Sequence, residues 1–146
     1  MSARPSISDI KTIPLFAGFG DSELEAVAAL FVPAVLGKKE GAAGLIFDVG
    51  EPAMSFYLLT AGEVLLDRPG DDIYRLRPPA LIGELGALTN LGRTCRASVD
   101  GEATVWAMDA AKLQAFFREQ QEMGLRFLVN LLGVVADKVQ RDHSIG

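Results

Sequence analysis

Residues 82–97 read IGELGALTNLGRTCRA. Gly83-Glu84 opens the stretch, small and apolar residues follow, and Arg93 arrives ten positions after the glycine. Gly83 has no side chain, so another group can approach its backbone closely. ELGALTN has the make-up of one or two helical turns, whose unpaired N–H groups favour an anion. Arg93 can add charge-assisted, forked hydrogen bonds to phosphate oxygens. Glu84 repels a bare phosphate but accepts hydrogen bonds from hydroxyls. A ribose bearing a cyclic phosphate and a 2′-hydroxyl meets both demands. Short motifs mislead, however. The same residues also fit a surface Arg93–Glu84 salt bridge beside a structural glycine.

The flanking sequence reads as strands bounded by helices. Before the stretch, LIFDVGEP (45–52), SFYLLTAGEVLLDRPGDD (55–72) and IYRLRPP (73–79) are short apolar runs; ASVDGEATVWAM (97–108) follows it. Gly50-Glu51-Pro52, Ala61-Gly62-Glu63, Pro69-Gly70-Asp71 and Asp100-Gly101 carry turn chemistry. Strands at this rhythm suggest an antiparallel roll or barrel. Residues 1–12 read as a polar, loosely held lead. In 13–31, Asp21 or Ser22 can cap a helix with Leu24, Val27, Ala28 and Phe31 inward. From Asp109, an amphipathic helix turns Leu113, Phe116 and Phe117 inward. A longer helix over 122–141 has two apolar faces. Leu125, Leu128, Leu132, Val135 and Val139 follow 3-4-3-4 spacing, a coiled-coil-like seam; Phe127, Leu131 and Val134 form the other. One face would lie on the domain. The other would meet a second subunit or a ligand, unless both are buried within the domain.

Composition narrows the classes. A chain of 146 residues allows one domain with a sizeable core. No run approaches the ~18 apolar residues of a membrane span, and the N-terminus lacks a signal-peptide core; both point to a soluble cytoplasmic protein. Fourteen Lys/Arg against nineteen Asp/Glu, net charge −5, argue against a nucleic-acid surface. One cysteine, Cys95, excludes an internal disulfide, and one histidine, His143, excludes a multi-histidine metal site or a histidine-dependent catalytic pair in the domain body. Asp71-Asp72 lacks the further oxygen ligands a metal needs. Trp106 alternates as a packing strand residue, Lys38-Lys39 as a solvated loop, and His143 as a solvent-exposed terminal residue. Cys95 reads as a small packing thiol.

The segment IGELGALTNLGRTCRASV resembles the phosphate-binding cassette of cyclic nucleotide-binding domains, found in bacterial catabolite activator proteins, protein kinase A regulatory subunits and cyclic nucleotide-gated channels. Gly83, Glu84, Leu85, Gly86, Arg93 and Thr94 fall on its pattern. LIFDVGEPAMSFYLLTAGEV is similar to the family's stretch at Gly50, Glu51, Phe56, Tyr57, Gly62 and Val64. The 13–31 segment and the last helix pair match its helical ends, so the likeness covers roughly 12–142. It implies one domain over 1–146: a helical part at 13–31, an eight-stranded β-roll at 32–108 with the cassette at 82–97, and C-terminal helices at 109–142. It further implies that Gly83, Leu85 and Gly86 meet the cyclic phosphate, Glu84 the ribose hydroxyl and Arg93 the phosphate oxygens. Thr94 can reach a syn guanine in relatives that accept cGMP. Cys95 is a cassette position where Ala is usual. Val64 and Leu66 would line the base side, and Val135, Lys138 or Val139 would form a lid. The chain departs from the pattern at Pro78-Pro79-Ala80, where a Gly-Asp turn is common, and in the irregular GKKEGAAG loop (37–44).

The resulting expectation is a non-enzymatic cAMP or cGMP sensor without metal or other cofactor. It would signal through the C-terminal helix to a partner protein or a homodimer. No helix-turn-helix segment follows, so direct transcription control is not expected. An interaction module on the same fold that takes no nucleotide is the alternative; a metal-dependent jelly-roll enzyme lacks the histidines it would need.

Overall fold

The computed structural model describes residues 3–39, 42–89 and 92–142; His143 and the rest of the C-terminus lie outside them. Helix α1 (Ile7–Ile10), a 3-10 turn (Pro14–Phe16) and α2 (Asp21–Ala28) lead into strands β1 (Val32–Pro33), β2 (Gly37–Lys39), β3 (Ala42–Phe47), β4 (Ser55–Asp67), β5 (Tyr74–Leu76) and β6 (Ala80–Ile82). Helix α3 (Glu84–Thr89) follows, then β7 (Arg96–Asp109), α4 (Ala110–Glu119) and α5 (Gln121–Asp142).

Every described strand pair is antiparallel. The sheet runs β2-β3-β7-β4-β5, with β1 on β7 and β6 on β4. The described residues thus form seven strands rather than eight, because β4 and β7 continue through two expected turns. At Ala61-Gly62-Glu63 and Asp100-Gly101 the register slips, from Ala61↔Thr104 to Glu63↔Asp100, and the pair bends without breaking. Gly62 is required there: its φ is +86°, and a Cβ would stand 2.4 Å from the Glu102 carbonyl oxygen. The expected turn at Pro69-Gly70 forms, closed by Asp71 N–H donating to Arg68 O at 3.0 Å. The 37–44 segment, expected to be an irregular loop, contributes two paired strands, β2 and β3.

β4 buries residues on both its faces. Phe56 and Leu58 pack with Met108 of β7, with Phe31 just before β1, and with Phe16 and Leu113 of the helical layer, whereas Leu59 and Val64 join Phe47, Ile82, Ala97 and Val105 inside the roll. Trp106 is buried as expected of a strand residue, its Nε1–H donating to Thr60 Oγ1 at 3.0 Å.

The N-terminal lead is more ordered than its polarity suggests. Ile10 is fully buried against the helical core, and Ser6 N–H donates to the Asp9 carboxylate at 2.9 Å. Helix α2 starts after Gly20 rather than being capped by Asp21 or Ser22. The Glu23 carboxylate accepts from Gly20 N–H at 2.8 Å, satisfying one N-terminal donor. That carboxylate also accepts from Arg126 of α5 at 3.1 Å, and Asn130 donates to Leu15 O and Ala17 O, both at 2.9 Å. These bonds, with Phe127 at 2% exposure, fasten the first half of α5 to the N-terminal turn. Its other face stays open: Leu125, Leu128, Val129 and Leu132 are 56–69% exposed. Among the described residues, no helix is long and apolar enough to cross a membrane.

Candidate functional site

The cassette folds over one end of the roll. β6 delivers the chain to Gly83, whose φ of +74° puts it in the left-handed region. α3 starts immediately after, and Ala87 N–H donates to Gly83 O at 3.2 Å. The returning arm is held by the turn at 48–51. Arg93 N–H donates to Glu51 O at 3.0 Å, and Gly50 N–H donates to Arg93 O at 2.9 Å. Glu51's carboxylate closes the turn on Asp48 N–H at 2.8 Å. Asp48, itself buried, receives Arg96 Nε and Nη2, both at 3.2 Å. Glu51 matched the family pattern without a role; Asp48 and Arg96 carried no signal at all.

Arg93 and Glu84 do not form the surface salt bridge that the sequence left open. Both are buried, at 7% and 8% exposure, and each has other partners. Arg93 Nη1 donates to Gly83 O at 2.8 Å, Nη2 donates to Ser55 O, and the guanidinium lies 4.1 Å from the Phe47 ring centroid. Its Nε is buried without a hydrogen-bond partner. The bare face of Gly83 therefore admits the arginine itself: a Cβ there would lie 2.4 Å from Nη1 and 2.9 Å from Phe47 Cε2. Burial pushes the Arg93 guanidinium below its ordinary value, with Tyr57, Cys95, Glu51 and Glu84 opposing. An arginine remains charged through such a shift.

These residues line a pocket of about 200 Å³. Gly83, Glu84, Leu85, Gly86, Arg93, Thr94 and Cys95 all reach its wall, so the structure gathers every cassette residue singled out from sequence. Of the two base-side candidates, Leu66 lines the pocket, while Val64 is fully buried within the roll core and does not. Of the lid candidates, Lys138 lines it; Val135 and Val139 do not. Phe47 and Arg68 are lining residues the sequence reading passed over. Phe47 sat in a strand of apolar residues, and Arg68 beside a turn proline, with no spacing to mark either.

The pocket is cationic in an acidic chain. Arg68, Arg93 and Lys138 line it against one carboxylate, Glu84, although the chain carries a net charge of −5. All three cations act on Cys95, pulling its thiol down, yet burial is the larger influence and the thiol is pushed up. Lys138 Nζ lies 3.6 Å from Glu84 Oε1. A wall with three cations and one hydroxyl-accepting carboxylate is chemically suited to an anion that also carries a hydroxyl.

Residues 42–120 match the cyclic nucleotide-binding domain family. The catabolite activator protein of Thermus thermophilus is similar over 89% of this chain, with a TM-score of 0.70 and 23% identity; the match covers 60% of that protein's length. The N-terminal domain of a Streptomyces coelicolor A3(2) transcriptional regulator is similar over 87% of this chain and 91% of its own, at 25% identity and a TM-score of 0.70. A protein from a bacterial cyclic-GMP-dependent signalling pathway that regulates phytopathogenesis is similar over 82% of this chain and 95% of its own, at 21% identity and a TM-score of 0.66. No curated protein matches the chain. With more than half its length matched by the family's pattern, the chain belongs to the cyclic nucleotide-binding domain family.

Proposed function

We propose that this chain is a non-enzymatic sensor of a cyclic nucleotide. The observation that carries the reading is the pocket's charge: three cations and one buried carboxylate on a single wall of an otherwise acidic chain. The cyclic phosphate meets Arg93 and the backbone of Gly83, Leu85 and Gly86. The ribose hydroxyl meets Glu84. Thr94 and Arg68 stand at the mouth. An arginine pairs well with guanine O6 and N7, which favours cGMP over cAMP.

The signal leaves through α5, whose Lys138 touches the pocket and whose outer face is apolar and exposed. Leu125, Leu128, Leu132, Val135 and Val139 give that face the seam of a homodimer or of an effector protein's docking site. Isothermal titration of the purified protein with cAMP and with cGMP tests the reading. Micromolar or tighter binding supports it, and a preference for cGMP supports the roles of Thr94 and Arg68.

One observation favours the alternative of a protein-interaction module. Both terminal nitrogens of Arg93 are already bonded, to Gly83 O and Ser55 O. The absence of heat and of a thermal shift with either nucleotide at millimolar concentration would favour that module over the sensor.

A further inference from the structure

The contact between Lys138 and Glu84 has a consequence for which part of a ligand moves the helix. Among the described residues Glu84 is the one carboxylate in the pocket wall, and its side chain is 11% exposed. Lys138 Nζ stands 3.6 Å from it, with a side chain 48% exposed. That distance is an ion pair without a charge-assisted hydrogen bond, which closes to 2.7–2.9 Å. Lys138 is half exposed, so solvent screens its end of the pair, and the long contact is open to replacement by a shorter donor.

Lys138 belongs to the C-terminal half of α5, beyond the hydrogen bonds that anchor the helix to the N-terminal turn. Arg126 and Asn130 anchor the helix to Glu23 and to the carbonyls of Leu15 and Ala17. Lys138 lies eight residues beyond Asn130, about 12 Å along the axis. Between them stands Gly133, a poor helix residue around which a Cβ would meet nothing within 4 Å. Past it, Val134 is half-buried against the helical core, and then Val135, Ala136, Asp137, Lys138 and Gln140 are exposed, with Val139 half-buried. The helix is thus fixed to the body as far as Val134, with Gly133 a soft point beside that last contact, and meets the pocket again through Lys138.

We infer that Lys138 and the ribose 2′-hydroxyl are alternatives on Glu84, so that the hydroxyl, rather than the phosphate, releases the far half of α5. The inference rests on the sensor reading. A hydroxyl donor within hydrogen-bond distance of Glu84 takes the position the ammonium now faces, and the tie is lost. The phosphate engages Arg93 on the other arm of the cassette and leaves Lys138 in place. A ribonucleotide therefore both binds and signals, whereas its 2′-deoxy counterpart binds more weakly and does not free the helix.

Hydrogen exchange over 134–142 tests this, together with titration. In Lys138→Met without nucleotide, exchange over that segment rises about two- to fivefold, the scale of a weak ion pair; unchanged exchange overturns the tie. The same variant binds cAMP or cGMP about two- to fivefold more tightly; weaker binding overturns the competition and makes Lys138 a ligand contact. In the wild type, the tighter-binding of cAMP and cGMP raises exchange over 134–142, and its 2′-deoxy form at saturation does not. Equal responses, or protection by the ribonucleotide, overturn the release. If neither nucleotide binds the wild type, the sensor reading and the release fall together, while faster exchange in Lys138→Met still establishes the tie by itself.

Discussion

Replacing Arg93 by alanine separates the residue's work in the fold from its work in the site. The guanidinium donates to two carbonyls, Gly83 O and Ser55 O, and covers the Phe47 ring. Gly83 O keeps the Ala87 N–H, so the loss falls mainly on Ser55 O; a buried carbonyl left without its donor costs about 1–3 kcal/mol, and the ring contact contributes about 0.5–2 kcal/mol. Removing a buried charge whose Nε has no partner offsets part of that loss. A net destabilisation of about 2–3 kcal/mol follows, lowering the melting midpoint of a chain this size by roughly 5–10 °C. Binding responds separately. Truncating one member of a buried charge pair costs about 2–5 kcal/mol. Arg93 has to share or exchange its present bonds to reach a phosphate, so the lower end applies. At 1.4 kcal/mol per tenfold, Arg93→Ala loses at least about tenfold in affinity. Differential scanning calorimetry gives the first quantity, and isothermal titration well below the variant's melting midpoint gives the second. Arg93→Lys keeps the charge without the fork and should fall between the two. A folded Arg93→Ala that binds within about threefold of wild type would refute the placement of the phosphate.

Gly83→Ala should be more damaging than an ordinary surface change, because its Cβ meets Arg93 Nη1 at 2.4 Å and the backbone holds φ at +74°; calorimetry should show a loss of about 1–3 kcal/mol, with weaker nucleotide binding beside it. Glu84→Gln should reduce affinity less than Arg93→Ala, since an amide oxygen still accepts from a hydroxyl, and titration of the two variants side by side checks the order. Burial pushes the Cys95 thiol up, so a smaller share is thiolate at any given pH. Alkylation by iodoacetamide should reach half its maximal rate at a higher pH than for an unstructured cysteine peptide, and bound nucleotide should slow it further. Leu128→Glu with Leu132→Glu should leave the fold intact, because both side chains are more than half exposed; sedimentation should show a monomer if the α5 seam joins two copies.

The cassette was legible because its chemistry is local. A glycine, a carboxylate and an arginine at fixed spacing keep their meaning wherever the roll places them. The amphipathic helices were legible for the same reason, since Leu24, Val27, Leu113 and Phe127 bury as their spacing requires. What escaped depends on pairing across the chain. Gly62 looked like a turn residue, yet it marks a bend inside β4 whose crowding comes from Glu102 and Ala103, some forty positions away. Val64 and Leu66 share a strand face, yet Val64 is sunk in the roll core while Leu66 packs at its edge and reaches the pocket. The support that Asp48 and Arg96 give the returning arm spans 48 residues and has no sequence signature.

The packing of the helical layer also bears on where this chain can be cut. The recognisable stretch, 42–120, leaves out Phe16, Leu24 and Phe31 at one end and Met123 and Phe127 at the other. Phe31 packs edge-on against Phe56, with ring centroids 6.2 Å apart, and Phe127 meets Phe117 at 5.0 Å. A fragment trimmed to the matched residues would turn Phe56, Met108 and Leu113 out to water and would aggregate. The stretch matched to the family is thus smaller than the core it shares, and a fragment that keeps that core whole runs from before Ile7 to beyond Val134.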